Sequence, residues 1–298
     1  MRAVLCILPL VPACIGSSHE CQNDIQGVFE HSIDASSGDH PEYVDTYTSL
    51  YPLATAVNGA QRFWADNLSC DETTPLTLTS VRSEDSQLAT VTFTSSTFDV
   101  MPLAPGTARI DVAGDGAGTE IGLTAAAIDH VALVGRELGE PGAFYLGTPV
   151  AMIELLDSTG APLVDNNLSL VTDTFNLGDK WNHLALGNAP AGQYSLAVNA
   201  GDRAWPVDVT LVDHITGVVP GKPEVAGITN EPTDVCFFAY QGPVLVAGVP
   251  WRFDFDSHYG KVSTDRANCV TMTDAAGNTH MVSAQALGFS AAATVTFD

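Results

Sequence analysis

The residues of this 298-residue chain that could do chemistry are its carboxylates, histidines and cysteines: 35 acids, eight histidines and six cysteines. The histidines are His19, His31, His40, His130, His183, His214, His258 and His280. His31, His130 and His214 recur at equivalent places of an internal repeat, one per copy, so they do not converge on one centre. They read as strand-entry hydrogen-bonding residues. The chain has no G-x-S-x-G elbow, no S-x-x-K in a usable setting and no H-E-x-x-H pair. No catalytic residue is assigned, and the chain is expected not to be an enzyme. A glycosidase needs two facing carboxylates, and nothing in the sequence singles out a pair.

Carboxylate oxygens suit a hard cation. The cation candidates are two groups at Asp/Gly turns, Asp111, Asp115 and Glu120, and Asp254, Asp256 and Asp265. Weak Ca²⁺ is the one cofactor they suggest. Asp254 to Gly260 begins like an EF-hand loop, but it lacks the third acid, the sixth-position glycine and the closing glutamate. Val249, Trp251, Phe253 and Phe255 instead alternate with Pro250, Arg252, Asp254 and Asp256, which reads as a strand with an aromatic inner face. Gly114-Asp115-Gly116-Ala117-Gly118 precedes no helix, so it reads as a hairpin turn and not as a phosphate cradle.

The cysteines depend on the export route. Met1-Arg2, the apolar run Ala3 to Ala13 and the polar residues after it form an export signal over 1–13. Val11-Pro12-Ala13-Cys14 resembles a bacterial lipobox, with Val and Pro where that motif usually has Leu and Ala or Ser. The alternative is ordinary signal peptidase cleavage, which leaves a free protein. A lipid on Cys14 leaves Cys21, Cys70, Cys236 and Cys269, an even set for an oxidising compartment. The expected bridges are Cys21–Cys70 and Cys236–Cys269, with 14–24 as a linker. The lipoprotein resemblance, with Ile15 after the cysteine, implies the outer membrane. The membrane is then a partner through acyl chains alone.

The formal charge of −24 repels nucleic acid and anionic lipid. Apolar residues make up 45% of the chain, enough for packed cores.

The elements that would position these groups are strands. LAPGTARIDVAG (Leu103 to Gly114), APAGQYSLAVNAG (Ala189 to Gly201) and DAAGNTHMVSAQ (Asp274 to Gln285) repeat, with turn glycines Gly106, Gly192 and Gly277 spaced by 86 and 85 residues. Pro105-Gly106 suits a type II turn. Ala108, Ile110 and Val112 then alternate with polar residues, as do Tyr194, Leu196 and Val198. In the third copy either Met281 or Val282 faces inward. A Gly/Asp-rich turn follows each of the first two strands, and a second apolar strand closes each copy: Ile121 to Ala125, then Val207, Val209 and Leu211, and finally Ala293, Val295 and Phe297. Ile128-Asp129-His130-Val131 and Val212-Asp213-His214-Ile215 mark the first strand of a new unit. The chain therefore divides into units over 25–126, 127–212 and 213–298, expected to be separate all-β sandwiches. The middle one has no cysteine and is expected to rely on Met152, Leu155, Trp181, Tyr194 and Leu196.

SEDSQLATV (Ser83 to Val91) and FDVMPLAPGTARIDV (Phe98 to Val112) resemble bacterial immunoglobulin-like domains of group 2. The resemblance covers about 30 residues of the chain. It implies tandem immunoglobulin-like β-sandwich domains, and stalk, spacer or adhesive roles at a bacterial surface. The functional expectation is a non-catalytic cell-surface lipoprotein whose loops contact a surface protein or a glycan. The alternative is a secreted carbohydrate-active or carbohydrate-binding protein, which would show Trp64, Trp181, Trp205 and Trp251 on an exposed concave patch.

Overall fold

The structure, a computed structural model, describes residues 24–29, 54–68, 73–75, 77–114, 117–135, 141–148, 150–178, 182–187, 189–263 and 266–298. Cys14, Cys21, Cys70, Asp115, Trp181 and Asp265 lie outside them, and with them the lipidation site and the first expected bridge. All regular structure among the described residues is β-strand. Among the described residues the strands form three nine-stranded sandwiches of one plan.

The first contains β1 (Asp24–Phe29), β2 (Ala54–Ala56), β3 (Gln61–Leu68), β4 (Thr73–Pro75), β5 (Leu78–Ser83), β6 (Ala89–Phe93), β7 (Thr97–Pro102), β8 (Gly106–Gly114) and β9 (Ala117–Ala126). One sheet runs β1-β3-β7-β6, with β4 also on β3, and the other runs β2-β9-β8-β5. The second contains β10 (His130–Val134), β11 (Ala143–Tyr145), β12 (Val150–Leu156), β13 (Pro162–Val164), β14 (Ser169–Val171), β15 (Asn176–Leu177), β16 (His183–Ala185), β17 (Gly192–Ala200) and β18 (Arg203–Val212). Here β10, β13 and β16 flank β12, β15 flanks β16, and the other sheet is β11-β18-β17-β14. The third contains β19 (Gly217–Pro220), β20 (Glu224–Gly227), β21 (Thr233–Gln241), β22 (Val244–Ala247), β23 (Arg252–Asp254), β24 (Gly260–Val262), β25 (Cys269–Met272), β26 (Thr279–Ala286) and β27 (Phe289–Phe297). Its sheets are β19, β22 and β25 around β21 with β24 outermost, and β20-β27-β26-β23.

The repeat in the sequence is the long hairpin of each unit: β8–β9, β17–β18 and β26–β27. Two-residue connections close all three, because Gly114 pairs Ala117, Ala200 pairs Arg203 and Ala286 pairs Phe289. Alternation sets which side chains are buried. Ala108, Ile110 and Val112 are buried in the first hairpin, Leu196 and Val198 in the second, and Val282, Ala284 and Ala286 in the third. Met281 is 68% exposed, which resolves the third register in favour of Val282. Gly106 and Gly277 take positive φ (138° and 84°), as a turn glycine should. Gly192 does not, and the Tyr194 ring lies against it.

Each unit has its own apolar core. The first centres on Phe63 and Phe98, stacked at 4.8 Å between ring centroids, with Val100, Ile110 and Val112. The middle core holds Ile153, Leu155, Leu184, Leu196 and Val198, with Phe175 edge-on to the partly buried Tyr194. Met152 is only half-buried, because period-2 alternation points Ile153 inward in its place. The third core holds Phe237, Met272, Val282, Val295 and Phe297. Burying side chains of this size contributes about 1.5–3 kcal/mol each.

Cys236 and Cys269 form a disulfide between directly paired positions of β21 and β25. The bridge closes a segment with a sequence separation of 33, and such a loop contributes about 3–4 kcal/mol through chain entropy. Reduction is expected to lower the third unit's calorimetric transition and leave the middle unit's in place. Equal shifts of both transitions would contradict this assignment.

Candidate functional site

The expected cation residues sit on an outer sheet face. Asp111 lies directly opposite Glu120 across the β8–β9 hairpin, and Glu84 brings a third carboxylate close to both. Two arginines stand among them: Arg82 Nε is 3.2 Å from Asp111, and Arg109 is 3.7 Å from Glu120. Opposite charges facing each other across strands form a surface ladder, and the arginines offset most of the charge a cation would need. In the other expected group, Asp254 is exposed on β23 and Asp256 accepts a hydrogen bond from the His258 amide at 3.0 Å, an Asx turn. The alternation from Val249 to Asp256 holds: the aromatic side packs on the third core and the charged side is exposed.

Of the repeat histidines, His130 and His214 are among the described residues and His31 lies outside them. His130 Nδ1 lies 3.3 Å from Asp129, and His214 Nδ1 lies 2.7 Å from Asp213. Each engages the acid just before it, on the surface. His130 does begin β10, whereas β19 starts only at Gly217, so His214 lies in the preceding turn.

Of the tryptophans, Trp205 is 8% exposed in the middle core, donates to the Ala200 carbonyl and carries the Arg203 guanidinium over its ring at 3.4 Å. Trp251 stacks on Phe253 in the third unit, with its Nε1 buried. Both rings serve packing, not a concave patch.

Asp274 is the most enclosed acid–base contact of the third unit. Its carboxylate accepts from the Ala275 amide at 2.6 Å and from His280 Nε2 at 2.5 Å, and His280 in turn packs on Tyr259. Burial raises the Asp274 pKa, but the Ala275, His280 and Asn278 hydrogen bonds outweigh it and leave the carboxyl below the ordinary aspartate value. A depressed folded-state pKa contributes stability above the unfolded value of about 4, and that stability is lost as pH falls through the folded value. Asp274→Asn is therefore expected to destabilise the third unit at neutral pH, with the gap to wild type closing as pH drops below about 4. A gap that stays constant down to pH 2 would contradict the assignment.

The most built features lie where the units meet. β2 pairs in parallel with β9 of its own unit and, on its other edge, with β13 of the next: Ala54 with Leu163 and Thr55 with Val164. β11 does the same, pairing with β18 and with β22 of the third unit, Ala143 with Val246 and Phe144 with Ala247. One nine-stranded sheet therefore runs through each boundary. Ala56 of the first unit and Ala247 of the third both enter the middle core. Phe144 packs into the middle core while its neighbour Ala143 packs into the third, because successive side chains of a strand point to opposite faces.

A turn follows each of these strands, with a residue at positive φ: Asn58 (61°) and Gly147 (94°). At the first joint Asp165, 1% exposed, fills the space beside this turn. Its Oδ1 accepts from the amides of Ala60 and Asn167, both at 2.9 Å, and its Oδ2 from the amide of Gly201 at 2.8 Å. The Asn166 amide donates to the Ala60 carbonyl at 2.6 Å, and the Arg62 amide donates to Asn166 Oδ1 at 2.8 Å. A Cβ on Gly59 would come within 2.7 Å of Asp165 Cγ. The second joint reverses sizes. Thr148 now stands on the turn, donating to the Tyr145 carbonyl at 2.6 Å, and a glycine, Gly248, faces it. The hairpin that carries β13 is fixed by Asp157, whose Oδ1 accepts from the Thr159 amide, the Thr159 hydroxyl and the Ala161 amide at 2.7–2.9 Å. What this arrangement does is mechanical: it splices neighbouring sandwiches edge to edge.

No family model matches the chain, and no curated protein matches it. The resemblance carried by Ser83 to Val112 therefore remains a likeness of fold. Among solved structures, domains 5–6 of the S-layer protein SbsC are 16% identical over 54% of this chain and 93% of that one, at a TM-score of 0.27. A tandem from titin is 10% identical over 82% of this chain and 95% of that one, at 0.22. An endo-fucoidan hydrolase of glycoside hydrolase family 107 is 15% identical over 83% and 43%, at 0.23. The fold class, all-β with tandem immunoglobulin-like sandwiches, is carried by the strand plan above.

Proposed function

We propose that this chain is a non-catalytic structural or adhesive module of the cell surface, anchored by lipid on Cys14 and presenting its loops to a protein or glycan partner. The observation that supports this reading most is the pair of spliced joints. A chain that carries load or spaces a ligand away from a membrane gains from units that cannot hinge freely, and a shared sheet restricts hinging more than a loop linker does. Asp111, Glu120, Asp165, Asp256, His130, His214 and Asp274 are each engaged with an arginine, a backbone amide or a neighbouring acid or histidine, which suits surface and turn roles. The alternative carbohydrate-directed reading needs solvent-facing tryptophans, and Trp205 and Trp251 do not supply them.

Intact-mass analysis of the protein extracted from its own membrane tests the anchor. A mature chain that begins at Cys14 with acyl mass added is the expected result. A chain cut elsewhere, or an unmodified Cys14, overturns it. A glycan array with the mature chain separates the two binding classes: carbohydrate capture favours the alternative reading, and silence favours a protein partner or a spacer.

A further inference from the structure

The joint is half-built once more at each end of the described chain. The first half of a joint, the acceptor, is a short strand parallel to the last strand of its unit, followed by a turn. β2 and β11 are acceptors, and β20 is a third. It runs parallel to β27, with Ala226 beside Thr296 and Gly227 beside Phe297. The correspondence extends to single hydrogen bonds. Two residues beyond Thr55, Phe144 and Gly227, the amides of Val57, Leu146 and Thr229 donate to the carbonyls of Ala126, Val212 and Asp298. Three residues beyond, Asn58, Gly147 and Asn230 all take positive φ. Four residues beyond, the amides of Gly59, Thr148 and Glu231 close the same turn onto Ala56, Tyr145 and Ile228. An alanine starts the shared edge each time: Ala54, Ala143 and Ala226.

The second half, the insert, is the short strand that follows a unit's central strand by a hairpin. β13 follows β12 and β22 follows β21. β4 follows β3 in the same way, with Leu68 opposite Thr73 and Asp66 opposite Pro75. Among the described residues β4 pairs only with β3, and β20 only with β27. Burial shows what the empty position lacks. At the two filled joints Ala56 is fully buried and Tyr145 partly buried, whereas Ile228, at the same place in the third acceptor, is 62% exposed.

We propose that a second copy of this chain docks head to tail on the first, its β4 adding in parallel to the outer edge of β20 as β13 adds to β2. The occupant follows from the joint: the chain carries at its N-terminal unit the strand that its C-terminal unit accepts. The Pro223 and Gly227 carbonyls accept from Thr294 and Asp298, so by strand alternation the amides and carbonyls of Glu224 and Ala226 point to the outer edge. Such edge groups are a template for strand addition. A head-to-tail contact of this kind does not pair a surface with itself, so assembly proceeds beyond a dimer. Each copy brings a charge of −24, so association strengthens as salt screens the repulsion.

Sedimentation velocity of the mature, lipid-free full chain over about 1–500 μM, at about 0.15 M and 1 M NaCl, tests this. The expected result is mass that grows with concentration, more so at high salt. Ala226→Pro removes an outward amide that β27 does not use, and Ile228→Lys leaves the backbone untouched. Each is expected to weaken association at least tenfold with the circular dichroism and melting profile unchanged, and the second keeps the test intact if proline disturbs the third unit. A chain that remains monomeric throughout overturns the proposal. Association that both variants leave at wild-type strength overturns it as well.

Discussion

Asp165→Ala removes the acceptor of three backbone amides at once and is expected to destabilise the first joint by about 3–5 kcal/mol, since each buried donor left without a partner costs about 1–3 kcal/mol and water recovers part of it. The three amides come from different segments: Ala60 from the turn of the first unit, Asn167 from the Asx turn beside Asp165, and Gly201 from the tip of the β17–β18 hairpin. One carboxylate therefore ties two units together. In denaturant the first and middle units are expected to separate into two transitions, with the third unmoved. Asp165→Asn keeps one oxygen acceptor and turns the other position into a donor facing an amide, so it falls between wild type and alanine. An Asp165→Ala protein with a wild-type unfolding profile would show that the joint does not depend on this residue.

Gly248→Ala is expected to cost about 3–5 kcal/mol, combining a left-handed backbone position with overpacking. Gly248 has a φ of +76°, and a Cβ there would lie 1.7 Å from Thr148 Oγ1 and 2.6 Å from Thr148 Cβ. The remedy is visible at the other joint, where glycine stands on the turn and the larger residue faces it. Thr148→Gly in the Gly248→Ala background is therefore expected to recover the overpacking share, about 1–3 kcal/mol, although alone it removes the hydrogen bond to Tyr145. The measurement is a double-mutant cycle on the denaturant midpoint of the second and third units. Strict additivity of the two changes would contradict the packing account.

Much of each unit is legible in the chain. The turn glycines Gly106 and Gly277, the alternation through Ile110, Leu196 and Val295, and the Cys236–Cys269 pairing all express local rules that hold within a hairpin or between neighbouring strands. The joints are not legible in this way. Ala54–Ala56 and Ala143–Tyr145 are three residues long, too short for a period-2 pattern to emerge, and their partners β13 and β22 lie in another unit. A parallel pairing between distant segments leaves no turn signal in the sequence. The faint sign is compositional: an alanine, then four residues on a residue able to take positive φ, as in Ala54 with Asn58, Ala143 with Gly147 and Ala226 with Asn230. Unequal insertions before each unit hide that spacing. Asp165 is missed for a similar reason. Asp165-Asn166-Asn167 reads as a solvent turn, and only the approach of the preceding unit buries it. The sequence marks Asp111 and Glu120 as cation candidates, whereas Arg82, directly opposite Asp111, and Arg109, two residues before it, give the pair a structural reading as a charge ladder.

The central claim is that sheets run unbroken through both unit boundaries. Hydrogen–deuterium exchange on the intact chain reads it most directly, because the amides of β2, β11, β13 and β22 that face the neighbouring unit, and not their own unit's strand, are protected only if the cross-unit ladders persist. Peptides spanning 54–57, 143–146, 162–165 and 244–247 are expected to exchange as slowly as the β8–β9 and β17–β18 hairpins. Exchange in these four segments at the rate of open loops, with the hairpins still protected, would mean that the units are strung together by linkers and that the shared sheets do not exist.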